Sequence, residues 1–176
     1  MPTLIDISSA TTIGDMTAGG GLAALKDGNT ATAGRKEATS GYCGVVVASK
    51  IDSGQIDSAD NGFDGSGLTT SITIKLFGKV SGTPSSATDG TELGSTTFTD
   101  VNSLSTKTIT SSDKTTVFNS VWFTISTGVW ANATEMRFYL PDPVSTIKKA
   151  AGVAYASIKK VAGVVIASVK KLSGVA

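Results

Sequence analysis

The chain contains no histidine and only one cysteine, Cys43. Without histidine there is no imidazole acid–base pair, no histidine-based catalytic triad and no histidine metal site. A single cysteine excludes an intrachain disulfide, and within Tyr42-Cys-Gly-Val-Val-Val47 it reads as a small buried hydrophobe. No apolar run nears the ~20 residues of a membrane span. No basic-then-apolar leader stands at the N-terminus, so neither a transmembrane segment nor a signal peptide is expected. Carboxylate pairs such as Asp57 with Asp60, or Asp89 with Glu92, sit in ordinary Gly/Ser/Thr turns and do not suggest glycosidase chemistry. No glycine-rich run precedes a helix as a phosphate cradle requires. An enzyme is not expected.

What the chain has in abundance is Gly, Ser, Thr and β-branched residues. With 176 residues and 16% charged side chains, it suits one medium domain plus an appendage. This composition favours an all-β fold with many turns. Net charge is +1, unevenly divided: residues 1–142 carry nine basic against fourteen acidic groups, a net of −5, whereas residues 143–176 carry six Lys and no acid. Strand-like runs occur at Thr3–Ile7, Tyr42–Ala48, Thr70–Lys79, Leu93–Phe98, Lys107–Thr110, Val117–Ser126 and Glu135–Leu140. Lys50–Ile56 is spaced for an edge strand, and Gly19-Gly-Gly21 reads as turn or flexible loop. Strands recurring every ten to fifteen residues describe a β-sandwich or jelly roll over residues 1–142. Trp122, opposite Val121 and Phe123 in an alternating run, belongs to the core or a subunit interface.

Residues 143–176 repeat with a period of eleven. Ile147-Lys-Lys149, Ile158-Lys-Lys160 and Val169-Lys-Lys171 are each followed by Gly-Val at Gly152-Val153, Gly163-Val164 and Gly174-Val175. A short unit repeated in this way cannot bury its own apolar face and must meet copies or a large partner. Eleven residues also make three turns of helix, but a Gly in every unit and β-branched residues favour strands with turns at Ala151-Gly152, Ala162-Gly163 and Ser173-Gly174. An amphipathic membrane-surface helix is the rival reading. The tail Lys pairs lack interleaved Arg or aromatic residues, so nucleic-acid binding is not expected.

Ala24-Leu-Lys-Asp-Gly-Asn-Thr30, Tyr42-Cys-Gly-Val45, Lys50–Ile56, Ile72–Gly78, Asp89-Gly-Thr-Glu-Leu-Gly94, Val121-Trp122 and Glu135-Met-Arg-Phe138 together resemble the galactose-binding-like jelly roll of discoidin and coagulation-factor type C domains. The resemblance covers about residues 20–140 and implies a galactose-binding-like β-sandwich. It also implies a structural Ca²⁺ held by Asp27, Asn29, Thr32 and Glu135, which are hard oxygen donors of the kind Ca²⁺ takes. If the sandwich binds glycans, an aromatic platform with polar neighbours is expected on its end loops. Phe63 with Asn61 and Asp64, and Trp130 with Asn132, are the candidates, and Arg35 and Lys36 could bond hydroxyls.

The tail units are similar to Ile-Lys-Lys-Val-Asn-Gly-Val-Ala repeats of tailed-bacteriophage virion proteins, with Ala or Ser where that pattern has Asn before Gly. That resemblance implies a non-enzymatic virion protein made in the host cytoplasm. It would be a fibre or tail appendage subunit that contacts a host surface glycan and other virion proteins. Alternatives are a capsid decoration or cement protein without a ligand, and a carbohydrate-binding lectin module outside a virion. Residues 143–176 would join copies into a homo-oligomer, a trimer in the first instance, through Ile147, Val153, Tyr155, Ile158, Val164, Ile166, Val169 and Val175.

Overall fold

The strictest alternation in the chain, Ile72-Thr-Ile-Lys-Leu76, turns every second side chain to one apolar face. In the computed structural model it forms the heart of strand β7 (Ser71–Lys79), with Ile72, Ile74 and Leu76 fully buried. The structure describes residues 2–65 and 70–142, and four two-residue strands between residues 149 and 165. The chain divides into two compact units, Met1–Pro141 and Asp142–Ala176.

The first unit is a β-sandwich. One antiparallel sheet runs in the order β1 (Thr3–Leu4), β12 (Glu135–Leu140), β6 (Ser53–Asp57) and β9 (Thr106–Thr110). The second runs β2 (Thr12–Gly14), β5 (Ser40–Ser49), β10 (Phe118–Ser126), β7 and β8 (Thr91–Thr99). A small third sheet joins β11 (Ala131–Ala133), β4 (Gly34–Lys36) and β3 (Ala18–Gly19). A one-turn helix, α1 (Gly21–Ala24), follows β3, so the Gly19-Gly-Gly21 run, expected as turn or flexible loop, ends a strand, turns at Gly20 and opens a helix. Strand β6 corrects another expectation: it lies between β12 and β9 and is not an edge. No helix among the described residues is long and apolar enough to cross a membrane.

The two large sheets meet through aromatic rings. Phe123 of β10 stacks on Phe138 of β12, with centroids 5.3 Å apart and planes 15° from parallel. Gly54 of β6 leaves room for the Phe123 ring, because a Cβ there would lie 2.5 Å from its Cζ and 3.2 Å from Leu76 Cδ1. Cys43 is fully buried in this core, and burial pushes its thiol up to about 12, which fits an inert hydrophobe. Trp122 points to the opposite face of β10 and stacks on Phe77, centroids 5.6 Å apart. The loop of residues 80–90 closes over this pair: Trp122 Nε1 donates to Ala87 O at 2.8 Å, and the Lys79–Asp89 ion pair at 2.7 Å ties the loop down. Trp122 is therefore a fully buried second packing centre beneath a loop.

In the second unit, β13 (Lys149–Ala150) pairs antiparallel with β14 (Val153–Ala154), and β15 (Lys160–Val161) with β16 (Val164–Val165). The registers are Lys149↔Ala154 with Ala150↔Val153, and Lys160↔Val165 with Val161↔Val164. These positions are strands, as the β-branched content suggested. Of the residues assigned to oligomerisation, Val153 and Val164 lie on β14 and β16. Ile147, Tyr155, Ile158, Ile166, Val169 and Val175 fall outside the described residues.

A Gly54→Ala substitution should destabilise the sandwich by about 1–3 kcal/mol, the usual cost of forcing extra volume into a packed core. Urea unfolding is the check, and an unchanged midpoint would show that Phe123 does not pack against that backbone.

Candidate functional site

The Asp27-Gly28-Asn29 segment makes a tight turn because Gly28 takes φ +74°, a left-handed conformation that costs glycine nothing. The turn is closed by its own side chains. Asp27 Oδ1 accepts from Asn29 N at 2.8 Å, Asp27 Oδ2 from Thr32 Oγ1 at 2.8 Å, and Asn29 Oδ1 from Ala31 N at 3.0 Å. Glu135, at the start of β12, reaches the same turn across the sequence, its Oε1 accepting from Asn29 N at 2.9 Å. The four residues assigned to a cation therefore converge on one spot. Lys26 anchors the neighbouring segment, its ammonium donating to the carbonyls of Ser8 at 2.8 Å and Ala10 at 2.7 Å.

The electrostatics of this turn are unbalanced. Burial first, and then the neighbouring Asp27 carboxyl, push Glu135 above its ordinary 4.5. The Thr32 hydroxyl holds Asp27 below its ordinary 3.8. Two carboxyls share one place, one of them buried, with no cationic side chain paired to either among the ion pairs of the described residues. Two carboxylates, the Thr32 hydroxyl and the Asn29 carbonyl make an all-oxygen donor set that suits a hard cation. No cluster of three or more acidic, Cys or His side chains occurs among the described residues, so neutral oxygens would have to complete such a site.

A second group of side chains gathers on the small sheet. The pairing of β11 with β4 sets Asn132 opposite Arg35 and Ala131 opposite Lys36. Half-buried Trp130 immediately precedes β11, and the Arg35 guanidinium lies over its ring, 5.2 Å from the centroid. The loop of residues 59–65 is fastened here by backbone bonds: Trp130 N donates to Asp64 O at 3.2 Å and Asn132 N to Phe63 O at 2.9 Å. Asn132 Nδ2 also donates to Asn61 Oδ1 at 3.1 Å. Thus Arg35, Asn61, Trp130 and Asn132 come together.

Phe63 and Asp64 do not serve as expected. Phe63 is fully buried, its ring edge-on to Phe98 at 5.7 Å, so it packs in the core and cannot be a sugar platform. Asp64 is also fully buried, its Oδ2 accepting from Thr70 Oγ1 at 2.8 Å and from Gly128 N at 3.2 Å, so it holds the loops and does not meet solvent. Asn132 is itself largely buried, and its amide braces Asn61.

Charge at this surface is locally neutralised. Arg35 faces Glu37 at 3.3 Å and Lys36 faces Asp15 at 2.6 Å. Two buried polar atoms near Trp130 stand out, one on Arg35 and one on Thr127, a residue the sequence reading did not single out. Arg35 Nε and Thr127 Oγ1 are buried without a hydrogen-bond partner among the described residues, and both belong to the segments that flank Trp130. Thr127 is signalled in the sequence only by its place three residues before Trp130.

Of the carboxylates considered as glycosidase pairs, Asp57, Asp89 and Glu92 are engaged elsewhere, Glu92 with Lys75 at 2.9 Å. Asp57 receives Arg137 Nη2 on both oxygens, at 2.6 and 2.7 Å, and Thr106 Oγ1 at 2.6 Å. Asp89 is held by Lys79 and Ser85.

No family model matches this sequence, and no curated protein matches it. Solved structures do match in fold. A family 32 CBM (carbohydrate-binding module) from C. perfringens NanJ, in complex with galactose, aligns with a TM-score of 0.60 at 20% identity, over 79% of this chain and 99% of that one. A CBM32 from Clostridium perfringens, in complex with GalNAc-β-1,3-galactose, aligns at 0.58 and 14%, over 78% and 99%. A mutant of the lectin binding domain of Lectinolysin, complexed with Lewis b, aligns at 0.55 and 11%, over 81% and 100%. The chain has the galactose-binding-like β-sandwich fold.

Because folding raises the Glu135 pKa, the folded chain binds the more protons there. That contribution to stability is complete below the unfolded value of 4.5 and is lost as pH rises through the folded value. In the presence of a chelator, Glu135→Gln should remove this loss while keeping an oxygen for Asn29 N. The variant should gain on the parent in urea unfolding from mildly acidic to neutral pH. Parallel stability curves would show that folding does not raise the Glu135 pKa.

Proposed function

We propose that residues 1–142 act as a non-catalytic carbohydrate-binding module whose sugar contact centres on Trp130. The observation that carries this reading is the convergence at Trp130. A half-buried indole has a guanidinium over it and an amide (Asn61) on the adjoining loop. Sugar C–H faces stack on rings, and their hydroxyls take donors such as the Arg35 edge and the Asn61 amide. The fold adds weight, because the similar structures named above are themselves in complex with galactose, GalNAc-β-1,3-galactose or Lewis b. Arg35 and Lys36 each already face a carboxylate, so the surface suits a neutral, hydroxyl-rich ligand better than a polyanion.

Trp122 is fully buried, so a change in tryptophan fluorescence on adding galactose reports Trp130. Trp130→Ala should weaken galactose binding by at least about thirtyfold, the ~2 kcal/mol expected of a central aromatic contact. Arg35→Ala should weaken it as well. Equal binding by parent and Trp130→Ala, measured by calorimetry, would remove Trp130 from the site; no binding of galactose or GalNAc by the parent would count against the module itself.

The Asp27, Asn29, Thr32 and Glu135 turn is proposed to hold Ca²⁺ in a structural role. The cation would neutralise the paired carboxyls and fix the turn against β12. Calcium should then raise the melting temperature and abolish the pH dependence assigned to Glu135. At a hundredfold excess over its Kd it would add ~2.7 kcal/mol. Asp27→Ala should lose the response; an unshifted melting curve in the parent would eliminate the cation.

The finer reading places the module on a virion appendage of a tailed phage, as a trimeric fibre or tail subunit. Its support is the eleven-residue repeat, now with two hairpins in one register. Immunogold labelling of intact particles with an antibody to residues 1–142 should mark fibre or tail tips. Label over the head would favour the decoration role, and absence of label would end the virion reading.

A further inference from the structure

We infer that the loop between β8 and β9, residues 100–105, is a second sugar subsite. In it Val101 and Leu104 receive the methyl of an acetamido or 6-deoxy group, carried by the sugar residue linked to the one on Trp130. The inference rests on the Trp130 reading and extends it. Six large hydrophobic residues are exposed among the described residues, and three of them, Val101, Leu104 and Val129, lie on loops that meet at the Trp130 surface. Val129 adjoins Trp130 in the chain. Val101 is 50% and Leu104 48% exposed, so both are open to a ligand.

Buried Asp64 fixes this loop relative to Trp130. Its N–H donates to Asp100 Oδ2 at 3.0 Å, its carbonyl accepts from Trp130 N at 3.2 Å, and its carboxylate accepts from Gly128 N at 3.2 Å. Gly62 touches the same loop: a Cβ there would lie 2.8 Å from Val101 O and would strike the Asp100 carboxylate. At the far end, Ser58 N donates to Ser105 O at 2.9 Å, Ser58 Oγ to Ser103 O at 3.0 Å, and Ser105 N to Ser58 Oγ at 2.8 Å. Val101 and Leu104 therefore stand on backbone tied at both ends. The Asn61-Gly62 pair connects them to β11, through Asn132 Nδ2 donating to Asn61 Oδ1 at 3.1 Å.

The chemistry of the loop selects its occupant. Its one acidic side chain, Asp100, is 1% exposed and turned inward to Asp64 N and Val101 N, so the loop offers a ligand no charge. Single exposed aliphatic residues are ordinary; this pair is set apart by its fixed place beside a ring and an amide suited to sugar. Valine and leucine side chains form no hydrogen bond, and sugar hydroxyls buried against them would be left unpaired at a cost. A methyl has no such cost and gains by leaving water. Burial of one methyl-sized group corresponds to about a fourfold preference, ~0.8 kcal/mol.

Calorimetry of the full chain with galactose, galactosyl-β-1,3-galactose and GalNAc-β-1,3-galactose tests this. The two disaccharides differ in one acetamido group in place of a hydroxyl. The parent should prefer the acetamido disaccharide about fourfold. Val101→Ser combined with Leu104→Ser should erase that preference and leave galactose affinity unchanged. An unchanged urea midpoint would show that the variant sandwich is folded, as expected for exposed positions. Equal affinity of the parent for the two disaccharides, or a preference that survives the double substitution, would overturn the subsite, while galactose binding would keep the Trp130 reading standing. A parent that binds none of the three sugars would remove both. Binding of the parent to phosphatidylcholine–phosphatidylserine vesicles that the double substitution abolishes would assign the loop to a lipid surface and overturn the subsite as well.

Discussion

The approach of the two large sheets at Gly54 governs the rest of the sandwich. With no Cβ at that point, the Phe123 ring lies against the β6 backbone and stacks on Phe138 of the neighbouring strand. Aromatic burial of this kind dominates small β cores. Once β10 is fixed there, its register with β5 and β7 is set over most of its length. A one-residue slip would turn Val121, Phe123 and Ile125 outward and Trp122 inward. The short β11 follows β10 after only a four-residue connection, so the position of Trp130 descends from the same contact.

The candidate sugar surface is consequently held by backbone more than by side chains. Two carbonyls of the loop of residues 59–65 accept from the backbone N–H groups of residues 130 and 132, and the buried Asp64 carboxylate accepts from both Thr70 and Gly128. Phe63 anchors the loop from inside the core. Residues that look like ligand contacts in a polar loop are in this way the supports of the ones that remain outside, Asn61, Arg35 and Trp130. Preorganisation of this sort limits the entropy lost when a small ligand binds.

What could be read from the sequence divides along the same line. Strands β7, β10 and β12 follow from period-two alternation, which is local, and the Asp27 turn follows from Asp-Gly-Asn chemistry. The convergence of Glu135 with that turn came through resemblance, because no local rule links positions 106 residues apart. Phe63 was misjudged because an aromatic in a Gly/Asp-rich loop gives no sign that the loop folds back onto β8, where Phe98 waits for it. The inward place of β6 was hidden for a similar reason: its apolar spacing is that of an edge strand, while its centrality depends on β9 and β12 pairing from far along the chain. Trp122 was correctly set opposite the core face, but the loop that covers it could not be inferred from alternation.

The two units solve different physical problems. The sandwich buries enough surface in one chain to hold a small set of polar atoms in place, and its charges are mostly matched locally. Residues 143–176 carry charge of one sign, six Lys and no acid. A surface centred on one ring and a few hydrogen bonds yields modest affinity, since each non-hydrogen atom of a small ligand contributes at most a limited increment. Joining several such surfaces on one assembly turns later contacts into intramolecular ones and raises overall avidity without any new contact. On the proposed reading, the sandwich would set which surface is recognised, and any assembly that joins several copies would set how many sandwiches engage it at once.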